Sequence, residues 1–217
     1  MIQSKAFSFQ IFDFPVRVDL SFFLMALILG SGRSDLTFIA IWVLVVFISV
    51  LAHELGHAFV ARKYGLHPWI ELYSGGGLTW HQVGARLSHI EEIALSLAGP
   101  GVGFLIGAVV WWIGKMLPYA VISRNLRVLM FDLVWVNIGW GIINLLPILP
   151  LDGGNVMRVI VQKIRGCQDE RLPLKISIGF GVALFLLALV SRMFFGAILS
   201  GWFTYRNYQQ LQNMGGW

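Results

Sequence analysis

Apolar and polar positions alternate at period two over residues 6–20, AFSFQIFDFPVRVDL. The pattern predicts two short strands, joined at Phe14 and Pro15 and lying at a membrane surface. Beyond them the alternation gives way to long apolar runs, with no charge in residues 36–52, 93–114, 133–151 or 176–191. A membrane helix needs roughly 20 apolar residues, and one globular core does not use four runs of that order. The expected spans cover about 20–33, 36–63, 91–114, 126–147, 174–190 and 193–208. That makes an all-α polytopic membrane protein of about six transmembrane helices, with residues 1–217 as a single domain. Residues 65–90 are too polar and glycine-rich to cross. There Gly75, Gly76 and Gly77 lie between Tyr73 and Trp80, which predicts a small β-hairpin or re-entrant element at the cytoplasmic face. Gly99, Gly103 and Gly107 fall every fourth residue of the third span and form a smooth stripe for helix packing.

Composition agrees with the pattern: 57% of residues are hydrophobic and 12% charged, against about 25% charged in a soluble domain. The net charge of +5 reads as an excess of Lys and Arg in cytoplasmic loops, with no nucleic-acid partner. With the N-terminus inside, the inner segments hold eleven basic residues, Lys5 and Arg86 among them, and the outer ones five. This places both termini in the cytoplasm. Residues 1–10 lack the basic-then-apolar order of a secretory signal, so the N-terminus is expected to be retained. Trp111, Trp112, Trp202 and Trp217 fit anchors at the lipid–water interface. The single cysteine, Cys167, excludes an internal disulfide and a multi-cysteine metal site, leaving nitrogen and oxygen ligands for any metal.

Candidate chemistry begins at His53, Glu54 and His57, an H-E-x-x-H segment near the end of the second span. Histidines four apart on a helix share a face one turn apart, so both imidazoles reach one ion, and Glu54 beside them can accept a proton. Three ionisable groups within five residues are costly in a membrane helix unless paired, hydrated or bound. The bland alternative is a helix end already in water, its histidines solvated near Arg62 and Lys63. A catalytic zinc takes three protein ligands and keeps one open position. The best third candidate is Asp152, in the segment N-L-L-P-I-L-P-L-D-G-G running from Asn144 to Gly154. An Asp-Gly turn with Asp152 as an ordinary cap is the competing reading. His67, His81 and His89 lack an i, i+4 pairing and read as solvated. Asn137, seven residues before Asn144, reads as an interhelical hydrogen-bonding residue.

HELGH on one span, followed some ninety residues later by N-x-x-P-x-x-P-x-D-G-G, resembles the paired motifs of the site-2 protease family of intramembrane zinc metalloproteases. FPVRVDLSFFL, the glycine-rich hairpin and the L-A-G-P segment at residues 97–100 resemble further family features in the same order. The resemblance implies one Zn2+ per chain held by His53, His57 and Asp152, with Glu54 as general base. It also implies that Asn144 positions substrate or stabilises the oxyanion, and that an edge strand around Gly75, Gly76 and Gly77 holds an unwound substrate segment. The chain departs from the family pattern at Leu149, where a proline is usual, and at Gly103, where an asparagine often stands.

The expected activity is hydrolysis of peptide bonds within transmembrane segments, as regulated intramembrane proteolysis. The expected setting is a bacterial inner membrane and its lipid. A compact form without an extra soluble domain would take its regulation from a separate protein. One alternative is a membrane zinc hydrolase resembling prenyl-protein proteases, completed by Glu71, Glu91, Glu92 or Asp132. Another is a non-proteolytic metal-binding membrane protein, either a transporter or an inactive helix-binding relative.

Overall fold

The computed structural model describes residues 6–81, 87–118 and 122–214. Lys5, Arg86 and Trp217, counted above among basic and interfacial residues, lie outside the described residues. The chain falls into two compact units, Met1–Arg86 with Ala98–Ile142, and Leu87–Leu97 with Ile143–Trp217.

The first unit opens with a hairpin of β1 (Ala6–Ile11) and β2 (Phe14–Asp19). The turn lies at Phe12 and Asp13, both at positive φ, two positions ahead of the expected Phe14–Pro15 junction. A two-residue hairpin loop of this kind requires positive φ at both centres, and aspartate tolerates it. Pro15 instead sits within β2, where its fixed φ suits extended backbone. Pairing to the next strand begins only at Val16, so the missing N–H of Pro15 costs no ladder bond there. The chain then forms α1 (Leu20–Gly30), α2 (Leu36–Lys63) and a second hairpin, β3 (Trp69–Tyr73) and β4 (Gly76–Trp80).

Both hairpins join one sheet, ordered β1-β2-β3-β4, with β2 and β3 parallel. A parallel pair needs a long crossover, here supplied by α1 and α2. The inner face of the sheet packs Phe14, Val16, Val18, Ile70 and Leu72 against Phe22 of α1 and Val50, Leu51 and Ala58 of α2. Asp35 caps α2 by accepting from Thr37 N at 2.8 Å, and Arg62 and Lys63 occupy the last turn, where cations complement the helix dipole.

Helix α3 (His89–Met116) continues into the first unit from Ala98. Two of the three glycines in its stripe meet the span that follows: a Cβ on Gly107 would lie 2.6 Å from Ile138 Cγ1, and one on Gly103 3.1 Å from the Asn137 carbonyl. The partner segment is α4 (Arg124–Val134), which runs through a π-helical turn, Trp135–Gly139, into α5 (Trp140–Asn144). The expected hydrogen bonding of Asn137 is present, since its Nδ2 donates to Ser49 Oγ on α2 at 2.8 Å.

In the second unit the segment after Asn144 leaves the helix, and α6 (Asp152–Arg165) begins at Asp152. The expected spans leave this stretch out, yet it is a 14-residue helix closed by Gly166 at φ 64°. A Cβ on Gly154 would meet the Ile148 carbonyl carbon at 2.5 Å, and one on Gly153 would collide with the Leu145 carbonyl. The two glycines after Asp152 therefore let residues 145–151 fold back over the start of α6. Helices α7 (Arg171–Val190) and α8 (Phe194–Asn213) complete the unit.

Among the described residues four helical segments are long and apolar enough to cross a membrane: Leu36–Lys63, His89–Met116, Arg124–Asn144 and Arg171–Val190. The protein is thus a multi-pass membrane protein, mostly helical, with a small four-stranded sheet. Helix α1 has only 11 residues, and α8 carries Arg206, Asn207, Gln209, Gln210 and Gln212 in its second half.

Candidate metal centre

His53 and His57 follow the uncharged run of α2 and point to one side of it. Both are buried, at 8% exposure, and Glu54 is buried at 5%. Their ring centroids lie 4.8 Å apart with the planes at 77°, and their Nε2 atoms are 3.2 Å apart. Two nitrogens each 2.0–2.1 Å from a tetrahedral zinc stand about 3.3 Å apart, so the pair has the spacing of two ligands on one ion. His53, His57 and Asp152 each offer a ligand atom, and these atoms all lie within 4.8 Å of one another. Among the described residues no other group of three His, Cys, Asp or Glu side chains does so. Two imidazoles and a carboxylate form a donor set that zinc accepts, with a fourth position left to water or substrate.

The glycines around the two histidines are fixed by space. A Cβ on Gly99 would lie 2.6 Å from His53 Nε2 and collide with His57 Nε2, so only glycine leaves the nitrogens accessible. The sequence assigned Gly99 to the packing stripe alone, because its four-residue spacing to Gly103 and Gly107 hides the difference. Gly56, inside HELGH, admits the α3 backbone: a Cβ there would be 2.7 Å from the Ala98 carbonyl oxygen.

Glu54 turns toward β4. Its Oε2 accepts from Thr79 Oγ1 at 2.7 Å, and the same hydroxyl lies 3.1 Å from the Glu54 carbonyl. A Cβ on Gly77 would stand 2.7 Å from Glu54 Cδ, so the close approach of β4 to this carboxylate requires glycine. Gly76 has φ 114°, a conformation side chains rarely adopt, and Gly75 lies in the two-residue turn beside the Tyr73 ring. Thr79 was not legible as a site residue, since nothing in sequence ties a strand threonine to a helix glutamate 25 positions away. Asn144 is buried at the end of α5.

The rival carboxylates are engaged elsewhere. Glu71 accepts from Trp80 Nε1 at 3.1 Å, Glu91 from Ser88 N at 2.7 Å, Glu92 lies 4.0 Å from Arg158, and Asp132 accepts from Arg33 at 2.8 Å.

Comparison with known proteins agrees with this centre. Residues 119–188 match the model of peptidase family M50. A zinc metalloprotease of Methanocaldococcus jannaschii is 32% identical over 185 residues, 84% of this chain and 52% of that protein. Stage IV sporulation protein FB of Bacillus subtilis is 33% identical over 135 residues, 60% of this chain and 44% of that protein. The solved site-2 protease from Methanocaldococcus jannaschii superposes with a TM-score of 0.68 at 28% identity, covering 95% of each chain. The chain spans about half the length of the curated relatives it matches, 52% and 48% for two of them. With buried H-E-x-x-H histidines at zinc spacing, the chain is similar along most of its length to a solved site-2 protease and to zinc metalloproteases, and over residues 119–188 it matches peptidase family M50.

Proposed function

We propose that residues 1–217 act as one catalytic domain that hydrolyses peptide bonds within transmembrane segments of membrane proteins, in regulated intramembrane proteolysis. The reading rests above all on the two buried imidazoles 3.2 Å apart at the end of an apolar helix, with a carboxylate beside them. His53, His57 and Asp152 hold one Zn2+. When bound, the ion would polarise a substrate carbonyl and lower the pKa of a coordinated water to about 7. Glu54 takes the proton of the attacking water, and Thr79 holds the carboxylate on the β4 side. Asn144 positions the substrate or donates to the oxyanion. The protein sits in a bacterial inner membrane with both termini cytoplasmic. Its partners are membrane-protein substrates and a separate regulatory protein.

A helical substrate hides its carbonyls in internal hydrogen bonds and must unwind before attack. Gly75, Gly76 and Gly77 build the hairpin whose β4 edge receives the unwound segment as an added strand. The pair Tyr73 and Gly76 closes a two-residue loop. In such a hairpin the closing pair is hydrogen-bonded, so Gly77 and Thr79 turn their backbone N–H and C=O toward the free edge. Gly76→Pro is a poor test of this role, because proline at a residue with φ 114° would break the hairpin itself. Disulfide trapping from Leu78→Cys in a Cys167→Ser background is cleaner. Cross-links to every second residue of a cysteine-scanned substrate are expected, and trapping without that period would sink the added-strand reading.

The primary test is zinc content in detergent-purified protein. About one zinc per chain is expected in wild type and Glu54→Gln, with loss in His53→Ala and Asp152→Ala, and with cleavage absent in Glu54→Gln. Undiminished turnover of a membrane substrate by Glu54→Gln would overturn the assignment of the base, and zinc binding with no cleavage by the wild type would favour a non-proteolytic metal-binding role.

A further inference from the structure

Ser49 precedes His53 by four residues on α2, the same step that separates His53 from His57, so the three share one helix face. Its hydroxyl is buried, at 4% exposure, within the uncharged run of the helix. Asn137 Nδ2 donates to it at 2.8 Å and to the Leu133 carbonyl at 2.8 Å. Having accepted the amide, the Ser49 hydroxyl keeps its own O–H to donate.

Asn137 sits in the π-helical turn Trp135–Gly139. Such turns are rare and occur frequently at functional sites, and the extra residue rotates the side chains that follow. Gly103 lets this turn approach, since any Cβ there would lie 3.1 Å from the Asn137 carbonyl oxygen. Two apolar helices can pack without a buried amide or a π turn, so packing alone does not account for this arrangement. Beside the Ser49–Asn137 pair lies a cavity of about 10 Å³ whose lining includes Ser49, His53, Gly103, Asn137 and Trp140. That is the room one water needs, and the lining supplies the polar partners that keep a buried water in place.

We propose that Ser49 and Asn137 hold one water against the imidazole of His53, making them positioning residues of the metal centre. A ligating imidazole donates its second ring N–H to an oxygen, which fixes its tautomer and orientation, and losing that partner costs 10- to 100-fold in metal affinity. The inference rests on the zinc site proposed above and adds to it the hydrogen-bonded support behind one ligand.

The test measures zinc affinity by chelator competition on the full chain in detergent, for wild type, Ser49→Ala, Asn137→Ala and Ser49→Thr. Visible spectra of the cobalt-loaded proteins and thermal unfolding of the metal-free proteins accompany it. Zinc binding about 10- to 100-fold weaker is expected in Ser49→Ala and Asn137→Ala, with shifted cobalt bands and little change in metal-free unfolding. Ser49→Thr, which keeps the hydroxyl, should bind like wild type. Wild-type affinity and cobalt bands in Ser49→Ala would overturn the inference while leaving the zinc site standing; this variant removes one oxygen from a helix and carries the test even if Asn137→Ala misfolds. Absence of zinc binding by folded wild type would overturn both.

Discussion

The hydroxyl of Thr79 donates to the carboxylate of Glu54 across 2.7 Å, tying the edge strand of the sheet to the residue assigned as general base. A hydrogen bond to a charged group contributes about 1.5–3 kcal/mol, enough to hold one carboxylate rotamer. Thr79→Val keeps the shape and removes the donor. It is expected to lower kcat roughly 10-fold with a smaller effect on KM, as the lower end of that range predicts for a lost positioning contact. Thr79→Ser should stay near wild type. Steady-state cleavage of a transmembrane substrate by the three proteins checks this, and a wild-type kcat in Thr79→Val would remove the bond from the mechanism.

The elements that carry local periodicity were legible in the sequence: the alternating strands, the long apolar helices, and His53, Glu54 and His57 on one helix face. What depends on contacts between distant segments was not. β2 and β3 pair Val16 with Ile70 across the whole of α1 and α2, so two predicted hairpins became one sheet only in three dimensions. Helix α6 escaped because its hydrophobic face alternates with Arg158, Lys163 and Arg165, and basic composition masked the helical period. Gly99 was read correctly as a close-approach glycine, but the sequence could not reveal that the approaching groups are two imidazoles.

Gly99→Ala tests that distinction. Its methyl would occupy the space in front of the two Nε2 atoms, whereas Gly103→Ala and Gly107→Ala press on the Asn137 backbone and the Ile138 side chain. Zinc affinity in Gly99→Ala is expected to fall by at least the 10- to 100-fold seen when ligand orientation is disturbed. Metal analysis after dialysis against a weak chelator would show it. Full zinc occupancy under those conditions would mean that the histidines move aside without cost.

Asp132 is fully buried and takes its hydrogen bond from Arg33, which also stacks over Trp42 at 4.6 Å. Its second oxygen, Oδ2, has no hydrogen-bond partner among the described residues. Removing the cation would strand a buried carboxylate, so Arg33→Met should destabilise the protein by about 3–5 kcal/mol. The double variant Arg33→Met with Asp132→Leu should recover most of that loss, because an apolar pair carries no desolvation cost. Reversible unfolding in mixed micelles measures both. Equal losses in the single and double variants would show that the pair contributes through packing.

The last 40 or so residues showed apolar spans in the sequence but no family motif, yet they hold the segment that leads into Asp152. Asn207 on α8 donates to the Leu149 carbonyl at 2.7 Å, and Ser177 on α7 accepts from Leu149 N at 3.1 Å. Asn207 is buried at 3% exposure and Ser177 completely, so these bonds are shielded from competing solvent. They clamp both backbone groups of one residue three positions before the proposed ligand, in a stretch with no regular ladder of its own. Asn207→Leu would leave the Leu149 carbonyl without this donor, a loss of about 1–3 kcal/mol. If the clamp serves the metal site, zinc binding should weaken about 10-fold, because a 1.4 kcal/mol loss in presenting Asp152 appears directly in affinity. Chelator competition on Asn207→Leu and Ser177→Ala, set beside metal-free stability, separates the two roles: a variant that is less stable but binds zinc as tightly as wild type would show that the clamp serves the fold alone.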